Sequence, residues 1–403
     1  MSKYLFNEKS PKQEAVIVSS GLDDEERRLV KSVVEWDFPN EWAKNLFAVH
    51  GRSIVFKSPT RTGCIDDYLE GRFDGLQLVG VGGSLYYVRS GMVERPGILV
   101  IDQPDPKNHA EMLSDITELR DFDNEGKIVF SNRKYVPLRG MDLGEAQNRK
   151  RFTAIVRGMV EKFRQENIRL PFVAPEIAAE GYFPKKIDDG NTPLQFQVYR
   201  VPIIPRFPSQ TTDRFYQGGD VRDMLDLIGF VTHKMGKVLR SFHANDLAYM
   251  DSHLGNISLI SNNKSDAIYT TDLGSMKEFS NEKFPRRYMG FDAYSFLFSA
   301  MKHTEAILNF FQSKILVNGA EIEDRKIALL HLANSYIDSF LNGYFRPEIA
   351  QNTDESKTLS HRIKREYSPY LALLLHGNMI QKFVEHFEII SPRNRAIAGF
   401  YAS

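Results

Sequence analysis

Three polar residues have the types and spacing for phosphate chemistry: Asp251, Asn256 five residues later, and Asp272 just before a Leu-Gly pair. A nucleotide-phosphate site needs one carboxylate to accept or orient the proton of a nucleophile. It also needs an amide oxygen and a second carboxylate to hold a divalent metal against phosphate oxygens. The flanks are strand-like. Residues 257–260 form a short apolar run, and residues 267–270 lead into Asp272. Two short strands joined by the polar turn 261–265 bring Asn256 and Asp272 to the same end of a hairpin. Singly, an Asp or Asn in such a loop is a helix cap or an Asx turn. The three together argue for nucleotide and metal.

The segment before this loop must deliver it. Residues 224–243 carry Leu225, Ile228, Val231, Met235, Val238 and Leu239 on one side, the spacing of a long amphipathic helix. Its end holds His243, a residue suited to the free carbonyls of a helix C-terminus. After Asp272, residues 291–306, 324–342 and 370–386 have helical patterns. The first half reads differently. Residues 76–80, 85–89, 97–102, 127–130 and 134–139 are short β-rich runs, followed by a helix over 144–167 and strands over 172–183 and 194–202. This half predicts a mixed sheet with one principal helix. Residues 23–36 and 41–49 have helical apolar spacing, and 1–20 read as an extended start.

Bulk properties narrow the class. The 403 residues predict two to three domains or lobes, and 42% hydrophobic residues with 28 Phe suffice for sizeable cores. Lys and Arg together number 52, as do Asp and Glu, so no global charge favours nucleic acid or an acidic membrane surface. Cys64 is the single cysteine, which precludes an intrachain disulfide and fits a reducing compartment. Residues 1–12 lack the apolar core of a signal peptide, and no run reaches the roughly 18 apolar residues that span a bilayer. The expectation is a cytoplasmic protein without nucleic-acid or membrane partners.

The sequence Phe242-His243-Ala-Asn-Asp-Leu-Ala-Tyr249-Met250-Asp251-Ser-His253-Leu-Gly-Asn256, with Asp272-Leu-Gly274 after it, resembles the protein-kinase-like superfamily. It is most similar to the aminoglycoside and choline phosphotransferases, with a weaker similarity to selenoprotein O-type kinases. Their loop signature is His-Gly-Asp-x-His-x-x-Asn, so Tyr249 and Met250 stand where His and Gly are usual. The stretch Gly290-Phe-Asp292 looks like the helix whose Asp ties back to the catalytic loop. The resemblance covers residues 221–300 well and 51–204 more loosely.

The resemblance implies an α+β bilobal kinase-like fold: an N-terminal helical extension over 1–50, a small β-rich lobe over 51–204, and a larger helical lobe over 205–403. A cleft between lobes is a natural ligand site. It implies ATP and Mg²⁺ or Mn²⁺, with Asp251 as catalytic base, Asn256 and Asp272 as metal ligands, and His253 as a brace. Gly80, Gly82 and Gly83 form either a phosphate loop, whose N–H groups suit phosphate oxygens, or a plain hairpin turn. Arg139 stands in the place of the usual phosphate-binding Lys, with Lys134 as the other candidate. Glu145 and Glu161 are alternative partners for that cation. The implied activity is transfer of phosphate to a hydroxyl of a small molecule, peptide or protein. Nucleotidyl transfer and a non-catalytic pseudokinase are the alternatives.

Overall fold

The computed structural model describes residues 14–35, 44–50, 53–81, 119–122, 128–131, 140–166, 168–187, 192–282, 285–311, 315–317, 320–322 and 325–345. These form a mixed α and β architecture in two compact units. The first unit comprises Met1–Asp121, Val129–Arg157 and Ala174–Ile203. The second comprises Phe122–Ile128, Gly158–Val173 and Ile204–Ser403.

In chain order the elements begin with strand β1 (Val16–Ser20), helix α1 (Asp24–Val34), β2 (Leu46–His50), β3 (Ser53–Lys57), α2 (Ile65–Leu69) and β4 (Gly75–Val79). The pair β5 (Leu119–Phe122) and β6 (Ile128–Ser131) follows, then α3 (Leu143–Gln165), β7 (Phe172–Val173), β8 (Glu176–Ile187) and β9 (Pro193–Val201). The first unit is built on one six-stranded sheet, ordered β1-β8-β9-β4-β3-β2. Every pairing in it is antiparallel, so the expected mixed sheet is corrected. Leu29, Val30, Val33 and Val34 of α1 share a core with Ile54, Phe56, Leu76, Leu78, Phe196 and Val198 of the sheet.

Helix α1 starts at a capping box. The Asp23 carboxylate accepts the N–H of Glu25 and Glu26, and the Glu26 carboxylate accepts the N–H of Asp23. Glu26 is fully buried, and the Arg200 guanidinium donates to both its oxygens at 2.8 Å, with the Ser58 hydroxyl donating at 2.7 Å. Burial alone would raise the Glu26 pKa. The hydrogen bonds from Arg200 and Ser58 and the charge of Arg200 outweigh it and hold the carboxyl below its ordinary 4.5.

Of the helix expected over 41–49, residues 41–43 lie outside the described residues and 46–50 instead pair with β3 as a strand. A short apolar run satisfies either period, and pairing across the sheet decided this one. The runs expected at 85–89, 97–102 and 134–139 and the helix at 370–386 lie outside the described residues.

The second unit continues with α4 (Phe207–Tyr216), α5 (Val221–His243), β10 (Leu247–Ala248), β11 (Ile257–Ser261), β12 (Asp266–Thr270), β13 (Lys277–Glu278), α6 (Pro285–Phe311), β14 (Ile315–Val317), β15 (Ala320–Ile322) and α7 (Arg325–Phe345). Helix α5 opens at a capping box of Asp220 and Asp223 and buries Met224, Leu225, Ile228, Val231, Met235, Val238, Leu239 and Phe242. It approaches α7 backbone to backbone. A Cβ on Gly236 would lie 2.4 Å from the Phe340 carbonyl oxygen, and one on Gly343 would lie 1.9 Å from that of His233. Glycine at both positions permits this approach. No helix among the described residues is long and apolar enough to cross a membrane.

Candidate functional site

The hairpin expected from the sequence forms in the second unit. Strands β11 and β12 pair antiparallel from Ile257↔Thr270 to Ser261↔Asp266. The turn between them is held by the Asn262 side-chain oxygen, which accepts the N–H of Lys264 and Ser265. At the open end the Thr271 N–H donates to the Asn256 carbonyl at 3.0 Å. Asn256 and Asp272 therefore leave the hairpin side by side.

Asp251 is joined to them through Asn256. The Asn256 amide nitrogen donates to the Asp251 carboxylate at 2.9 Å and to its backbone carbonyl at 3.1 Å. That nitrogen is committed to Asp251, which leaves the amide oxygen, a hard donor, for another role. His253 Nε2 lies 3.4 Å from the other Asp251 oxygen. Asp272 takes a left-handed backbone, φ 52°, at the start of a short 3₁₀ turn. Met250, at φ 63°, is also left-handed, at the position where the resembled signature has Gly.

Asp292 on α6 holds the loop from behind. Its fully buried carboxylate accepts the N–H of Tyr249 and of Met250, both at 2.6 Å. Its backbone carbonyl accepts the Ser252 hydroxyl. His243 Nε2 lies 3.1 Å from the same carboxylate, and His243 Nδ1 lies 2.8 Å from the Tyr344 hydroxyl. Tyr249, in the place of the usual His, donates its hydroxyl to the Thr271 carbonyl and to that of Asn256. Burial raises its pKa well above 10, so the phenol stays protonated as a donor.

One cation in this network was not evident from the sequence. Arg206, at the N-cap of α4, donates through Nη1 to the Gly255 carbonyl and to the Thr271 hydroxyl. Those partners lie 49 and 65 residues away in sequence, and no local pattern links them.

An oxygen set of one amide and one carboxylate suits a hard cation that keeps phosphate and water among its ligands. Among the described residues no three His, Cys, Asp or Glu side chains gather into a closed metal cage.

Gly80 directly follows β4 in the first unit at φ 79°, with its carbonyl accepting the Gly140 N–H at 2.7 Å. Gly82, Gly83, Lys134 and Arg139 lie outside the described residues. Glu161 is exposed and pairs with Arg164 at 3.2 Å. Glu145 is buried, and its carboxylate accepts from Arg149 at 3.1 Å.

No family model and no curated protein matches the chain. Among solved structures it is similar to "WaaP in complex with acyl carrier protein", at 13% identity and a TM-score of 0.31, over 56% of this chain and 74% of that one. A likeness of that extent is too slight to set a fold or an activity.

Proposed function

We propose that the protein is an ATP- and metal-dependent phosphotransferase of kinase-like fold, acting on a hydroxyl of a small molecule, peptide or protein. The observation that carries this reading is the junction of Asp251, Asn256 and Asp272 at the open end of one hairpin, with Asp292 fixing the loop backbone behind them. Asp251 accepts the acceptor hydroxyl's proton as the new O–P bond forms and the bond to the leaving ADP breaks. The Asn256 amide holds the Asp251 carboxylate in one orientation. The Asn256 amide oxygen and the Asp272 carboxylate would hold Mg²⁺ or Mn²⁺. When bound, such a cation offsets negative charge on the phosphate oxygens.

Asp272→Ala tests the assignment. We expect it to abolish metal-dependent nucleotide binding and turnover, measured by thermal shift with ATP and Mg²⁺ and by transfer from γ-labelled ATP. Unchanged turnover in that variant would refute the reading. Label reaching the acceptor only from the α position of ATP would identify nucleotidyl transfer instead.

A further inference from the structure

We infer that Arg206 is a positioning residue that sets the separation of Asn256 and Asp272. This rests on the phosphotransferase reading and extends it to a residue on α4. Two short segments carry the metal-binding side chains, 255–256 and 271–272. Arg206 bonds to both, through the Gly255 carbonyl and the Thr271 hydroxyl. The Thr271 hydroxyl donates onward to the Asn256 carbonyl at 3.2 Å, so one chain of bonds runs from the guanidinium through residue 271 to residue 256. Tyr249 closes the same two segments through the carbonyls of Thr271 and Asn256. Each ligand is thus one residue, or none, from a backbone group tied into this network.

The charge of the clamp matters as well as its shape. Burial lowers the Arg206 pKa, and the oxygens of Tyr269 and Tyr249 and the Asp272 carboxylate oppose that fall. A neutral side chain in its place removes this charge together with both hydrogen bonds. Groups that orient the ligands of a metal typically change its affinity about 10–100-fold when removed.

The test uses the full chain with Mn²⁺ and a non-hydrolysable ATP analogue, followed by titration calorimetry, alongside the melting temperature without ligand. We expect Arg206→Gln and Thr271→Val each to weaken Mn²⁺ binding about tenfold or more, with Arg206→Lys lying between wild type and Arg206→Gln. A role in stability alone would lower the melting temperature and leave Mn²⁺ affinity unchanged in the folded fraction. That result, or wild-type affinity in Arg206→Gln, overturns the inference while the phosphotransferase reading stands. If Arg206→Gln does not fold, Thr271→Val and Arg206→Lys decide by the same criterion. If the wild-type chain binds no Mn²⁺ with the analogue, both readings fall together.

Discussion

Met250 shows how residue-scale effects compete in this loop. Its left-handed backbone costs an L side chain about 1–2 kcal/mol, which glycine would recover. The side chain is also buried, at 5% exposure, and loss of a buried Met forfeits roughly 1.5–3 kcal/mol. Glycine adds about 0.5–1 kcal/mol of backbone entropy to the cost. Burial and entropy together exceed the strain, so Met250→Gly is expected to destabilise the protein by about 1 kcal/mol. Urea unfolding of the two proteins measures the difference, and a gain in stability would show that strain dominates. The hairpin that carries Asn256 and Asp272 at one end was legible in the sequence because a strand-turn-strand pattern is local. Arg206 and Tyr344 were not, because each acts on partners dozens of residues away.

At the scale of elements, the long helices followed from the 3.6-residue period, since capping boxes and apolar stripes are local features. The strand at 46–50 was misread because five residues are too few to separate the two periods, and its pairing with β3 is a tertiary fact. Helix α4 begins at Phe207-Pro208 and is held partly by the bond of the Thr211 hydroxyl to the Pro208 carbonyl, a weaker signal than a sustained stripe. The α5–α7 contact was invisible for a different reason. Gly236 within a helix reads as a weakness until the facing backbone is known. Gly236→Ala is expected to cost about 1–3 kcal/mol by forcing the helices apart, although alanine is the better helix former. A melting temperature at or above that of wild type would contradict the close approach.

On the scale of the whole molecule, the two units respond to acid through different groups. In the first, Glu26 is held below its ordinary 4.5, so its contribution is complete above that value and is lost as the pH falls through the lower folded one. In the second, burial pushes His303 down to about 4 from 6.5, with its Nε2 2.7 Å from the Thr211 hydroxyl. The unfolded chain therefore takes up that proton first, and stability drains away as the pH falls from 6.5 to about 4. We expect the melting temperature of wild type to decline across that window and the decline to be shallower in His303→Gln. Parallel curves for the two proteins would exclude His303 as the cause. The bond from Tyr344 to His243 bears on where the chain can be shortened. The stretch that resembles kinases closes by residue 300, yet the support behind the Asp251 loop passes through Asp292 and His243 to a hydroxyl near the end of α7. A fragment cut after α6 would keep every proposed catalytic side chain and lose the outermost member of that support. Such a fragment is expected to melt at a lower temperature than the full chain, and an equal melting temperature would show that the Tyr344 bond adds nothing to that support.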